Sequence, residues 1–369
     1  MGGVYIHIPF CFSKCPYCDF YSFFADEKEK REYVSALIDE IKTNKRAAEY
    51  VRSFKADTLY LGGGTPSVLD GELIYEIIST AKKKYSVPEN GEITVECNPH
   101  CDIESLIPFF KISGVNRISL GLQSAVEKER KVLGRISDRK RITEVIDLLK
   151  SNGINNISLD VMMGVPYQTA ESLKETLDFC ISSGVTHISS YILKLEEGTF
   201  FYKNQSKYPF PDEDAVCDMY KFCCDYLEKH GFSHYEISNF AKSGYESRHN
   251  TKYWKSEEYL GIGAAAHSFV DGKRFFYGRS CDDFINGKPP VFDGCGGDCE
   301  EYIMLGLRLK EGISVSELIK KFGEKPAESI IIKAPLFKKR GLVNYDGDKL
   351  SLTVEGCLLS NSIIAQLIE

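Results

Sequence analysis

The sequence predicts an α/β protein: six strand–helix units forming a partial or complete barrel, then a small, mainly helical C-terminal domain. An open doubly wound sheet is the alternative architecture. Three observations predict this. From residue 3 to about 240, short β-branched runs alternate with longer amphipathic stretches. The spacers are long enough for helices, which implies parallel strands joined by crossovers. Past residue 296 the pattern becomes helical around a single hairpin signal.

In order, strands are expected at 4–9 (VYIHIP), 57–62 (DTLYLG), 92–97 (EITVEC), 116–121 (NRISLG), 156–162 (NISLDVM) and 187–192 (HISSYI). A helix is expected over 28–49, where Tyr33, Leu37 and Ile41 recur every four residues. Another covers 170–183 with Leu173, Leu177 and Phe179 inward, ended by Gly184. A third follows QSKYPFPDEDAV within 205–230, with Val216, Tyr220, Cys223 and Leu227 inward. Residues 280–300, rich in Gly, Asp and Cys, read as a linker. The segment 335–366 surrounds the hairpin KRGLVNYDGDKLSLT, turning at Asp346–Gly347, and has a winged-helix-like pattern without a basic stripe. The chain thus divides into a barrel at 1–240, a barrel-mouth segment with linker at 241–295, and a helical domain at 296–369.

With 43% hydrophobic residues the 369-residue chain can fill a sizeable core, and a net charge of −7 argues against a nucleic-acid partner. No run of about 18 apolar residues occurs, and the N-terminus has no basic, cleavable apolar segment of secretory type. A cytoplasmic protein is expected, touching membranes only peripherally, through a partner. In a reducing compartment its thirteen cysteines are metal ligands or small buried hydrophobes rather than disulfides. Cys180, Cys217, Cys223, Cys224, Cys281 and Cys357 are read as inert.

Cys11, Cys15 and Cys18 differ, because they form CX3CX2C directly after the first strand. Three thiolates are one fewer than a cubane cluster requires, so one iron of a [4Fe–4S] cluster stays open. Such an iron can chelate the amino and carboxylate groups of S-adenosylmethionine (SAM). Zinc is the alternative, but it usually takes four ligands. Gly62-Gly63-Gly64-Thr65-Pro66 follows the second strand, and adjacent glycines let backbone approach a ligand closely. Strand ends of an α/β fold are where ligands sit, and both motifs fall there.

These residues resemble the coproporphyrinogen III dehydrogenase-like branch of the radical SAM superfamily, from Tyr5 to near residue 365. The resemblance implies a partial (β/α) barrel with a C-terminal cap. It also implies SAM contacts at Tyr5, Tyr17, Gly63, Gly64, Thr65, Glu96, Gln123, Arg135, Asp160 and Lys194. Glu96, Gln123 and Asp160 fall at or just past strand ends. A carboxylate there can accept hydrogen bonds from ribose hydroxyls, and Arg135 can offer two donors to a carboxylate.

Within that branch the porphyrinogen-oxidising enzymes extend the motif to CX3CX2CXC and carry an N-terminal extension. Here Phe20 stands in place of the fourth Cys, and four residues precede Tyr5. Both departures resemble the heme chaperone subgroup. So does His249-Asn250-Thr251-Lys252-Tyr253-Trp254, matching the HNxxYW pattern implied to bind heme. His249 would be the axial ligand, with Tyr253 and Trp254 against the porphyrin face; a structural His among aromatics is the alternative. His267 in GIGAAAHSF is read as a substrate or SAM neighbour or a packed histidine, and His7 as structural. Cys97/Cys101 and Cys295/Cys299 repeat the CX3C spacing without a third thiol and are read as incidental; a second metal site at Cys295/Cys299 is the alternative. The expected activity is heme carriage to a respiratory or storage hemoprotein. The alternatives are coproporphyrinogen III oxidation by radical decarboxylation, or a radical SAM methyltransferase.

Overall fold

The computed structural model describes Met1–Glu369. Six parallel strands form its centre: β1 (Gly2–Ile8), β2 (Ala56–Gly63), β3 (Glu92–Cys97), β4 (Arg117–Gln123), β5 (Asn156–Met163) and β6 (His187–Ile192), paired in that order. Along each strand alternate residues take opposite roles. Ile6, Leu59, Ile93, Ile118, Leu120, Ile157 and Leu159 lie on the outer face and are buried under helices. Each such side chain contributes about 1.5–3 kcal/mol relative to exposure. The intervening positions hold Tyr5, Thr58, Tyr60, Thr94, Glu96, Arg117, Ser119, Ser158, Asp160, His187 and Ser189. The loop after β1 meets the segment after β6, five strands away, where Phe201 N–H donates to the Pro16 carbonyl at 3.0 Å, so the sheet is curled. The result is a partial barrel with a greasy exterior and a polar lumen.

The sheet does not stop at β6. On one side β8 (Asn239–Ala241) pairs antiparallel with β6, and β7 (Ser233–Glu236) with β8. On the other, β9 (Tyr259–Ile262) pairs parallel with β1 and leads to the antiparallel strands β10 (His267–Val270), β11 (Lys273–Phe276) and β12 (Val291–Cys295). Leu260, Ile262, Phe275, Cys281 and Phe284 share one apolar core with Val4 and Ile6. Residues 280–300, expected as linker, therefore contain a short helix (Cys281–Ile285) and an edge strand. Composition misled there because an edge strand is held mainly by backbone hydrogen bonds on one side.

Two helices also depart from expectation. The first ends at Thr43, because Asn44 turns left-handed (φ 51°) and donates its N–H to the Glu40 carbonyl. Its start is fixed by Asp26 and Glu29, which bond each other's backbone N–H reciprocally. In Ala170–Ser182 the inner face is Leu173, Thr176, Leu177 and Cys180 rather than Phe179, which lies half-buried beneath the Arg139 guanidinium.

The C-terminal unit has its own core around Leu318, Ile330, Leu350 and Leu367. Strands β13 (Ile313–Ser314), β14 (Val343–Tyr345) and β15 (Lys349–Leu352) form a small antiparallel sheet flanked by helices. The expected turn is present, with Gly347 at φ 108° and the Asp346 carboxylate accepting from Asp348 and Lys349 N–H. The chain entering this unit pairs along β7: Ile237 N–H donates to the Arg308 carbonyl (2.9 Å) and Lys310 N–H to that of Tyr235 (3.0 Å). No helix is long and apolar enough to cross a membrane.

Candidate functional site

The barrel mouth is built from loops at the strand C-termini. Cys11, Cys15 and Cys18 lie together on the loop after β1, half-exposed and free of disulfides. Phe23 returns to pair with Phe10, and Cys11 N–H donates to the Phe23 carbonyl, so the loop closes on its own base. No three His, Cys, Asp or Glu side chains converge on a point suited to one metal ion. A cubane asks for something else: three sulfurs reaching three separate irons. A short loop with three accessible thiols fits that donor set.

The glycine loop after β2 is tied to this one. Gly64 N–H donates to the Ile8 carbonyl and Thr65 N–H to that of Phe10, both at 2.8 Å, and Thr65 Oγ1 lies 3.3 Å from Cys11 Sγ. Gly63 has φ 112°, and a Cβ there would stand 2.5 Å from the His7 ring. A Cβ on Gly64 would meet the Phe10 carbonyl at 2.7 Å. His7 Nε2–H donates to the Tyr21 carbonyl, which leaves Nδ1 to accept from Tyr5 OH at 3.0 Å. Burial pushes the His7 pKa down to about 4, so this prop stays neutral.

Glu96, recessed in the lumen, accepts from Tyr60 OH (2.7 Å) and Gly63 N–H (3.1 Å). Asp160 accepts from Ser119 OH (3.0 Å). Burial raises the Glu96 pKa to about 7, against the pull of those hydrogen bonds, and that of Asp160 to about 6. Gln123 sits at φ 68° beside an irregularity in β4, a left-handed conformation unusual for Gln and commonest at functional sites. Arg135 folds over Gly121, donating to its carbonyl, and its other nitrogen lies 4.0 Å from Cys15 Sγ. Tyr17 lines the same wall, packed on Leu133, Met162 and Phe201. The structure thus gathers Tyr5, Tyr17, Gly63, Gly64, Thr65, Glu96, Gln123, Arg135 and Asp160 around the mouth and upper lumen. Lys194 is not gathered: its ammonium points to solvent and pairs with Glu196 at 2.7 Å.

His249 lies elsewhere. It is 1% exposed, in a short helix (Arg248–Trp254) that plugs the opposite end of the barrel, where the strands begin. Its Nδ1 is 2.8 Å from Thr58 Oγ1 and its Nε2 is 2.8 Å from Tyr253 OH. Its backbone N–H and that of Arg248 both donate to the Glu92 carboxylate. Burial drives its pKa down to about 3. A neutral imidazole with both nitrogens engaged is a floor plug in this conformation, with no free lone pair for iron. Tyr253 is spent on that bond, and Trp254 Nε1 is buried without a partner.

Sequence reasoning missed Arg117, which is 1% exposed within the lumen, its Nε and Nη1 unpartnered by protein. The signal was present: in NRISLG, Arg117 has the same phase as the inward residues of neighbouring strands. Cys97 and Cys101 are buried, with Ser67 OH 3.1 Å from Cys101 Sγ. Cys295 is exposed and Cys299 half-exposed.

The raised Glu96 pKa has a consequence for stability. The folded chain holds this proton more tightly than an unfolded carboxyl does. Its contribution is therefore full below the ordinary value of 4.5 and is lost as pH rises through about 7. Glu96→Gln is expected to show a smaller drop in melting temperature from pH 5 to pH 8 than the unaltered chain. Equal drops would refute the assignment.

Comparison with known proteins agrees with this geometry. The model of the radical SAM superfamily matches residues 5–180, and that of the HemN C-terminal domain matches residues 298–359. The heme chaperone HemW of Bacillus subtilis (strain 168) is 33% identical over 98% of this chain and 98% of its own length. The heme chaperone HemW of Lactococcus lactis subsp. lactis is 32% identical, covering 100% and 97%. Among solved structures, coproporphyrinogen III oxidase (HemN) from Escherichia coli superposes with a TM-score of 0.84 at 21% identity, over 99% of this chain and 89% of that one.

Proposed function

The chain belongs to the radical SAM superfamily, in the family of the heme chaperone HemW, and we propose that it binds heme and hands it to a hemoprotein. Family membership implies a [4Fe–4S] cluster and SAM. Cys11, Cys15 and Cys18 would hold the cluster, and Gly63, Gly64, Thr65, Glu96, Gln123, Arg135 and Asp160 would frame SAM. When bound, the cluster supplies the one-electron chemistry that no side chain offers. The chain's own groups orient and exclude water: Arg135 covers Cys15, the Thr65 hydroxyl faces Cys11, and Glu96 fixes the Gly63 amide. Residues 1–240 would carry cluster and SAM, 241–295 the heme-facing wall, and 296–369 the cap, in a cytoplasmic protein whose recipient is a respiratory or storage hemoprotein.

The single observation supporting carriage over porphyrinogen oxidation is Phe20. It occupies the position where the oxidases continue their cysteine motif, and its ring is 68% exposed beside the cluster loop. An apolar ring cannot replace a thiolate.

Heme-loaded protein mixed with an apo-hemoprotein is expected to give up its heme, followed by the recipient's Soret band. Incubated with coproporphyrinogen III, SAM and a reductant, the cluster-containing protein should form no protoporphyrinogen IX. Formation of that product without heme transfer would sink the proposal.

A further inference from the structure

Resting on the heme-carrying function proposed above, we infer that heme iron is ligated by His267, on the inner face of strands β10–β12 beside the barrel mouth. An axial imidazole must be neutral, reachable and have a free nitrogen lone pair. The chain has seven histidines. His7, His187 and His249 are buried with both ring nitrogens in hydrogen bonds. His234 is buried and stacked on Phe240. His230, its Nδ1 donating to the Tyr226 carbonyl, keeps a free Nε2 but ends a surface helix just before β7, where the strands begin and away from the cluster loop. Only His100 and His267 are exposed with neither ring nitrogen engaged.

Surroundings separate these two. His100 sits in a loop, edge-on to Phe12 alone. His267 starts a rigid strand and stands directly across from Phe276, their rings stacked at 5.1 Å and 22°, which fixes the imidazole plane. Phe276 stands directly across from Val291, which is 48% exposed. Directly opposite residues share a face, so imidazole, phenyl and isopropyl form one row, the apolar surface a flat macrocycle needs.

The rest of the site carries both signs of charge and lies close to the cluster loop. Partial burial disfavours protonation of His267, as do the nearby Arg279 and Arg274 guanidiniums, while the Asp293 carboxylate acts in the opposite direction. A guanidinium fork suits a heme propionate, and Arg279 is the exposed one, since Arg274 is already paired with Glu301. Arg279 also reaches Asp19, one residue past Cys18, at 3.6 Å. The His267 carbonyl lies against Gly261, where a Cβ would stand 2.1 Å away, and Gly261 is the partner of Tyr5 on β1. The row therefore continues the wall that carries Tyr5 at the mouth, whereas His249 lies among the strand beginnings.

The test is hemin titration of the full chain and of His267→Ala, His249→Ala and His100→Ala, read by the Soret band. His267→Ala should lose the imidazole-ligated spectrum and bind roughly tenfold more weakly or worse, and added free imidazole should restore the ligated band. His100→Ala should bind as the unaltered chain does. A ligated spectrum persisting in His267→Ala would overturn the inference, as would its loss in His249→Ala with rescue by imidazole there. Failure of the unaltered chain to take up hemin would instead overturn heme carriage itself.

Discussion

A Cys15→Ala chain reconstituted without oxygen is expected to hold almost no iron, against about four irons per unaltered chain. Its iron–sulfur absorbance near 400 nm should vanish with the metal. The size of the effect follows from having no spare ligand. Three thiolates are the minimum that secures a cubane with one open iron, and the loop itself holds no spare cysteine. The fold should survive, because Cys15 is half-exposed and contributes to no core, and the loop base is held by Phe10, Phe23 and backbone hydrogen bonds. Far-ultraviolet circular dichroism of the variant should match that of the unaltered chain. Heme uptake should persist, since the row bearing His267 does not include the cluster thiols. Retention of a full cluster by Cys15→Ala would mean that the loop is not the ligand set.

Arg117→Met is expected to cost roughly 1–3 kcal/mol of folding stability at pH 8, because this buried guanidinium acts on Glu96 and Asp160 through its field without a direct ion pair. Arg117 stands at the level of Thr94 on β3 and Asn156 on β5, one inward step above Glu92 and one below Glu96. Its charge helps hold Glu96 and Asp160 ionised, against a burial that raises both pKa values. Without it the lumen retains carboxylates whose nearest buried counter-charge is gone. The penalty should shrink at pH 5, where both groups take up protons in either chain. Urea unfolding at the two pH values checks this. An equal loss at both would point to lost packing rather than lost charge.

How far the molecule could be read beforehand depended on what kind of constraint each part obeys. The six central strands were legible because β-branched residues alternate with polar ones, and a barrel with helices outside enforces that alternation. The cluster loop and glycine loop were legible because their chemistry demands particular residues at fixed spacing. Edge strand β12 was not, since one-sided backbone pairing tolerates Asp293 and Gly294 within it. The HNTKYW segment shows a different limit. Its composition promised an exposed imidazole among aromatics, but nothing local tells which end of the barrel a seven-residue helix will close. Glu92 decides it, by accepting the N–H groups of Arg248 and His249 from more than 150 residues away. Arg117 was hidden for a related reason: its inward phase is visible only once the register of β3, β4 and β5 is known.

The short stretch of main chain that joins the large sheet to the C-terminal unit has a second role. A twelve-stranded open sheet has two raw borders, each a row of unsatisfied amides and carbonyls inviting another molecule to add itself. Residues 308–310 sheathe the border at β7, so the terminal unit closes that edge to an added strand as well as sitting beside it. The two units are in this respect one object, and neither can be cut away without leaving the other's backbone bare.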